Sequence, residues 1–289
     1  MNKVRAKVAV IGLTGNSVFM GVPGFHTGGE TVVAHDFHSE LGGKGFNQAV
    51  AAARQGADVS LLTAVGNADV ERVGRFLSGE NISGFVVGKE VPSAHATILT
   101  DGSGQTRVTV FPGATLAAGD VDRFADSIKN ADMLLLGNEV PEDVNIRAAE
   151  IASSSGVRIL VNPAPSRPLP KELREKAFLF TPNEFEEAGL GEVQCEVVTT
   201  LGEKGCLIRS TRQLIPAVSC GNAVDSTGAG DTFTATLAVC MAEGMALSDA
   251  CRIANIAAGQ SVTVRYVLPS LPFRICDGQR EFQEQKHVD

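Results

Sequence analysis

The sequence contains no tryptophan and a single tyrosine, Tyr266. It is nevertheless 289 residues long and 44% hydrophobic, enough to bury a large core as one big α/β domain or two small ones. No apolar run reaches the roughly 18 residues that a bilayer span needs. No Lys/Arg cluster is present and the formal net charge is −8, which argues against a nucleic-acid or anionic-membrane surface. No Cys-x-x-Cys pair occurs among Cys195, Cys206, Cys220, Cys240, Cys251 and Cys276. Several of these lie in apolar runs, as buried free thiols of a cytoplasmic protein would; a metal cluster or disulfide framework would be spaced differently. The five histidines do not cluster, and none has metal-site spacing. The N-terminus leads straight into a strand-like run and lacks a signal-peptide cleavage pattern. Internal repeats, coiled coils and low-complexity stretches are also missing. The polar tail 281–289 reads as frayed.

Short Val/Ile/Leu runs alternate with longer helical patterns. Strands are expected at Lys7–Ile11, Val59–Ala64, Met133–Leu136, Arg158–Val161, Phe178–Thr181 and Glu196–Thr200. Helices are expected at Asn47–Gln55, Val70–Ser78, Val121–Lys129, Glu142–Ser153, Asp231–Ala242 and Leu247–Ala258. This alternation predicts an α/β fold, a mostly parallel sheet with helices on both faces, whose ligands bind at the carboxyl ends of the strands. Two regions break it. Residues 14–40 are rich in Gly, Thr and His, and Ala96–Thr100 with Arg107–Phe111 read as a hairpin around Asp101-Gly102-Ser103-Gly104.

The most informative stretch is Asp225-Ser226-Thr227-Gly228-Ala229-Gly230-Asp231, which opens a helix. Unpaired amides at a helix N-terminus attract negative charge. A carboxylate inside such an anion site needs a task, and the natural one is to take a proton from an attacking hydroxyl. The alternative is an N-cap at Ser226 or Thr227 followed by plain turn glycines. A second glycine motif, Gly42-Gly43-Lys44-Gly45-Phe46-Asn47-Gln48, also precedes a helix, with Gly56 as its C-cap. It is not a Walker A loop, because no Ser or Thr follows the lysine. Its Lys44 and Asn47 can donate to hydroxyls, which a mere tight turn would not explain.

Together the two motifs resemble those of the ribokinase (PfkB-type) carbohydrate kinase family. Asn162-Pro163-Ala164-Pro165, Thr181-Pro182-Asn183-Glu184 and Thr200-Leu201-Gly202-Glu203-Lys204-Gly205 add weaker similarity, and the likeness covers nearly the whole chain. It implies a three-layer ribokinase-like fold as a single domain over 1–289, with a small β lid at about 13–40 and 94–112. It implies ATP-dependent phosphorylation of a hydroxymethyl group on a small sugar, sugar derivative or nucleoside. In that reading Asp231 is the base and the amides of Gly228, Ala229 and Gly230 hold the transferred phosphate. Asn16, Ser17, Gly42, Gly43, Lys44, Asn47 and Glu139 would meet the acceptor. Asn183, Glu186, Thr200, Gly202, Gly205 and Asn255 would line the nucleotide site. Glu186 would hold Mg²⁺ through water, although Asn183 and Glu186 also read as a capping box. Asp225 is the candidate partner of a monovalent cation, K⁺, and the lid implies a homodimer.

The chain departs from the family at three places. Ser17 stands near the position of a sugar-gripping Asp, which puts ribose in doubt. Tyr266 falls where a small residue usually turns beside the cation site. The stretch between Glu186 and Glu196 is too short for the customary extra helix. Two competing functions follow: a non-catalytic sugar or nucleotide sensor on a kinase fold, and a dinucleotide-binding oxidoreductase resting on the strand and Gly-x-x-Gly of Val8–Gly15.

Overall fold

A computed structural model describes residues 5–274; Cys276 and the tail 281–289 lie outside the described residues. The chain begins β1 (Lys7–Ile11), β2 (Gly15–Gly21), β3 (Asp36–Gly42), α1 (Lys44–Arg54), β4 (Asp58–Gly66), α2 (Val70–Gly79) and β5 (Ile82–Lys89). It continues β6 (Ala94–Thr100), β7 (Thr106–Phe111), α3 (Ala118–Arg123), α4 (Ala125–Lys129), β8 (Met133–Gly137), α5 (Glu142–Ser154) and β9 (Arg158–Asn162). Then come α6 (Lys171–Lys176), β10 (Leu179–Phe180), α7 (Glu184–Ala188), β11 (Glu196–Thr200), β12 (Cys206–Ile208) and β13 (Gln213–Ile215). The last elements are α8 (Ala229–Ala242), α9 (Leu247–Ser261) and α10 (Val267–Ser270).

Among the described residues, nine strands form one sheet in the order β13-β12-β11-β10-β9-β8-β1-β4-β5. All neighbours are parallel except β11–β12 and β12–β13 at one edge. The centre of such a sheet is covered on both faces, so its strands are apolar throughout. β1 shows this directly. Val8 and Val10 join one core with Phe46, Val50, Leu237 and Val239, whereas Ala9 and Ile11 join a second with Phe124, Val144, Ala148 and Ile151. α1, α8 and α9 therefore cover one face and α3 to α6 the other.

β3-β2-β6-β7 form a separate four-stranded sheet. The expected hairpin is β6–β7, closed by the Asp101 carboxylate, which accepts from the Ser103 and Gln105 amides at 2.9 and 3.0 Å. β2 runs parallel to β6 and antiparallel to β3, with Ser17 opposite both Ala96 and Glu40. β3 carries the segment on to Gly42, beyond the expected end at residue 40.

Three local expectations change. The helix expected over Val121–Lys129 is two short ones, because the buried Phe124 adopts φ −101° and ψ 2° and breaks the run. The strand expected over Phe178–Thr181 pairs only at Leu179–Phe180. The dinucleotide reading of Val8–Gly15 fails outright. That fingerprint needs a helix start to hold pyrophosphate, and here β1 is followed by another strand, β2, in the other sheet. Among the described residues, no helix is long and apolar enough to cross a membrane. Cys206, Cys240 and Cys251 are buried free thiols, Cys195 is half-buried and Cys220 is exposed.

Candidate active site

The two glycine motifs meet where α1 and α8 pack together, past the ends of β1 and β8. Gly43, at φ 109°, precedes α1, so Lys44 already lies in its first turn. Lys44, Asn47 and Gln48 are spaced to share one face of that helix. The start of α1 lies very close to the loop after β1: a Cβ on Gly45 would sit 2.4 Å from the Gly12 Cα. Only glycine permits this approach.

Gly228, in the left-handed conformation at φ 83°, starts α8. The conformational demand sits here rather than at Gly230, around which a Cβ would meet nothing within 4 Å. The Ala229 amide donates to the Ser226 carbonyl at 3.2 Å, so it is less free than the sequence suggested. The Gly228 and Gly230 amides meet no backbone acceptor among the described residues and remain for an anion. The rest of α8 is buried, and its threonines turn inward onto backbone: Thr232 donates to the Gly228 carbonyl at 3.0 Å and Thr236 to that of Thr232 at 2.7 Å.

Asp231 lies in the first turn of α8, 5% exposed. Its Oδ2 accepts from Asn47 Nδ2 at 2.9 Å and its Oδ1 from Gln48 Nε2 at 3.1 Å. The Asn47 Oδ1 is buried without a partner, an acceptor beside the carboxylate that calls for a donor. Asp231 is the largest cause holding the Lys44 ammonium above its ordinary value, with Glu139 and Glu186 acting in the same sense. Glu139, in the turn after β8, accepts from the Gly45 amide at 3.1 Å. Burial pushes its carboxyl up to about 7.

Other expected site residues are placed differently. Asn16 and Ser17 point to opposite faces of β2. Ser17 shares its face with Glu40 and lies against Gly42, whereas Asn16 is turned away to accept from Arg72, itself paired with Asp69 at 2.9 Å. Asn16 is thus removed from the acceptor set. Asn255 is not open to a nucleotide either: its buried amide donates to the Ile215 and Pro216 carbonyls at 3.0 and 3.1 Å, pinning the chain after β13. Asn183 caps α7. Its Oδ1 accepts from the Glu186 amide at 2.8 Å, and the Glu186 Oε2 accepts from the Asn183 amide at 2.9 Å. That capping box is real, and it leaves the other Glu186 oxygen outside the pairing. Thr200 turns its hydroxyl to the Pro182 carbonyl at 3.3 Å, next to Asn183. Gly205, at φ 100°, is a site of close backbone approach, with a Cβ only 2.1 Å from the Ile215 carbonyl, whereas Gly202 faces open space. Residues 189–195 pass from α7 to β11 without further regular structure, as their brevity implied.

The sequence gave no warning of a clasp between β3 and the segment 265–268. Alternate β3 residues reach it. Asp36 pairs with Arg265 at 2.8 Å and accepts from the Tyr266 hydroxyl at 3.1 Å. His38 stacks on Tyr266 at 3.8 Å, so it is no loose surface histidine. Glu40 accepts from the Val267 and Leu268 amides at 2.9 and 3.2 Å. Tyr266 itself takes φ 68°, uncommon for any residue but glycine. The Tyr266 hydrogen bond, with Arg265, holds the Asp36 carboxyl below its usual value. Asp225 is also engaged, accepting from the Thr227 and Tyr266 amides at 2.9 and 3.0 Å.

A buried carboxylate next to a glycine-rich helix start, with a lysine between two acids, is the equipment of a phosphotransferase that uses an alcohol as acceptor. The chain belongs to the pfkB family carbohydrate kinases, whose model matches residues 5–274. It is 32% identical over 273 residues to a deoxyribokinase of Salmonella typhi, covering 84% of this chain and 88% of that one. It is 34% identical over 259 residues to a bifunctional ribokinase/ribose-5-phosphate isomerase A of Fructilactobacillus sanfranciscensis, covering 80% of this chain and about half, 48%, of that longer protein. The structure of Arabidopsis thaliana ribokinase complexed with ribose and ATP superposes with a TM-score of 0.82 at 25% identity, covering 93% of this chain and 96% of that one. The protein is therefore an ATP-dependent carbohydrate kinase, and neither the sensor nor the oxidoreductase reading finds support.

Proposed function

We propose that this kinase transfers the γ-phosphoryl group of ATP to the hydroxymethyl group of a small sugar, sugar derivative or nucleoside, with Asp231 as general base. The observation that carries the proposal is the Asp231 carboxylate, buried and aimed by two amide donors, beside the free Gly228 and Gly230 amides. The acceptor oxygen attacks phosphorus, its proton passes to Asp231, and ADP leaves. The helix-start amides stabilise charge on the transferred group in a loose transition state. Lys44 supplies a fixed positive charge, held by Asp231 and Glu139. The unpartnered Asn47 Oδ1 takes a hydroxyl proton of the acceptor, and Glu139 takes another.

Mg²⁺ suits the donor set. It takes few protein ligands and keeps its waters, and the described residues hold no cluster of three or more His, Cys, Asp or Glu, only the exposed first turn of α7. Glu186 would hold the ion through water, where it would bridge phosphate oxygens. K⁺ at Asp225 is the further ion to titrate, against the fact that both Asp225 oxygens already accept amides. The small sheet acts as a lid that keeps out water, a competing acceptor. Nucleotide and free thiols both fit the cytoplasm.

Ribose is expected to be a poor acceptor. Ser17 is neutral, and the nearest acid, Glu40, spends both oxygens on backbone amides. Exchanging a charged acceptor for a neutral one costs about 1.5–3 kcal/mol, ten- to a hundred-fold in binding. An acceptor with fewer hydroxyls at that end, a deoxysugar or a nucleoside, should win. ADP release should be measured with ribose, 2-deoxyribose, fructose and a nucleoside set. A clear win for ribose overturns this part of the proposal, and no turnover with any acceptor overturns the whole.

The same sheet is proposed to join two copies of the chain. Its edge strand β7 exposes Val108, Val110 and Phe111 by more than half, and Phe37 on the opposite edge is 65% exposed. Unpaired apolar edges invite a partner strand. Sedimentation at micromolar concentration should give a dimer; a monomer across that range rejects the arrangement.

A further inference from the structure

The Asn162-Pro163-Ala164-Pro165 motif has no place in the proposed chemistry, nor does Gln48, yet both are buried beside the base. Gln48 is 1% exposed and Asn162 7%. Their hydrogen bonds form one directed chain. Asn162, the last residue of β9, donates through Nδ2 to the Thr181 carbonyl at 2.8 Å. A carbonyl can only accept, so the Asn162 amide is locked with its oxygen facing the other way. That oxygen lies 3.2 Å from Gln48 Nε2, which must donate to it. The Gln48 amide is thereby oriented in turn, and its second N–H points at Asp231 Oδ1, 3.1 Å away. Asn47 donates to the other oxygen. Both carboxylate oxygens thus face donors, and one donor is set by the sheet itself.

We propose that Gln48 and Asn162 are positioning residues for the general base, through which the Thr181 carbonyl past the end of β10 fixes the orientation of Asp231. The inference rests on the reading of Asp231 as base. Two helix side chains could otherwise rotate about their own bonds, and an amide with no defined polarity could turn its oxygen toward the carboxylate and repel it. A base must lie within hydrogen-bond reach of the proton it takes, and misplacement of about 1 Å costs about a hundred-fold in rate. The other charged groups around this carboxylate, Lys44 in α1 and Glu139 after β8, touch neither amide and stay in place when Gln48 is changed.

The test is Gln48→Met, close in size but without a donor, measured alone and in the Asp231→Asn background. The expected result is a kcat lower by about ten- to a hundred-fold, with KM for ATP and for the acceptor within a few fold, and no further loss when Asp231 is already changed. A second variant, Gln48→Glu, keeps shape but trades the donor for an acceptor. Its kcat should fall further than that of Gln48→Met as pH rises and the introduced carboxyl ionises against Asp231, and recover on acidification. Melting curves and ATP titration confirm that each variant is folded. A Gln48→Met enzyme with unchanged kcat, or one whose loss multiplies with that of Asp231→Asn, overturns the positioning role while leaving the base intact. High turnover in Asp231→Asn itself would instead remove the reading on which the proposal rests.

Discussion

Asp231→Asn should lose turnover by about 10²–10⁴-fold, the usual worth of a general base, while ATP affinity stays within a few fold. The two parts of this expectation come from different atoms. Affinity for the nucleotide phosphates depends on amides at the start of α8, and the substitution does not move these. Rate depends on a lone pair that the introduced amide lacks. The environment adds a second penalty. Asn47 and Gln48 both present N–H groups to this side chain. Whichever way an introduced amide is turned, its own N–H₂ faces one of those donors. One hydrogen bond is lost and the side chain rotates, so the variant should also melt slightly below the wild type. Single-turnover measurement of phosphoryl transfer, with ATP binding followed separately, checks both halves. Turnover near that of the wild type would mean that the carboxylate accepts no proton and that the site's geometry serves some other step.

Much of this site could be read in the sequence because its demands are local. Glycines ahead of an apolar helical run mark a helix start, and an Asp within one turn of it is conspicuous whatever the fold. The sheet was likewise legible in runs such as Met133–Leu136, because a strand buried on both faces has no reason to alternate. What could not be read depends on contacts between distant segments. Gln48 and Asn162 look like ordinary polar residues until β9 and α1 bring their amides to 3.2 Å. The clasp of β3 onto Tyr266 joins residues some 230 positions apart, and nothing near either partner signals it. Asn16 illustrates a different limit. Alternation along β2 guaranteed that Asn16 and Ser17 would face opposite ways. The choice of inward face is made by Gly42, which leaves room for Ser17, and by Arg72, which holds Asn16 outside. Asn255 was misread because a buried helical asparagine can serve the backbone as readily as a ligand, and here the carbonyls after β13 claim it.

Glu139→Gln should be more stable than the wild type above neutral pH and a worse kinase. Burial is the chief cause that pushes this carboxyl from 4.5 to about 7, against the hydrogen bonds of the α1 amides and with the Asp231 charge adding to it. The folded protein therefore holds this proton more tightly than the unfolded chain does. Stability is complete below the unfolded value, declines as pH rises between 4.5 and about 7, and levels off above that. At about 1.4 kcal/mol per pH unit of displacement, the ionised carboxylate costs the fold about 3 kcal/mol at pH 8. Glutamine has the same shape and can still accept the Gly45 amide, but it never ionises. Its advantage over the wild type should widen by about 2–3 kcal/mol between pH 5 and pH 8. Activity should move the other way. The acceptor loses a charged partner worth about 1.5–3 kcal/mol, so kcat/KM should fall about ten- to a hundred-fold, while ATP binding, which involves other groups, holds. Such an exchange of stability for activity is expected where a buried charge is kept for its chemistry. Denaturant melts of both proteins at pH 5 and pH 8, with acceptor kinetics alongside, decide the matter. A stability difference independent of pH would show that Glu139 does not hold its proton in the fold, and unchanged kinetics would show that it does not meet the acceptor.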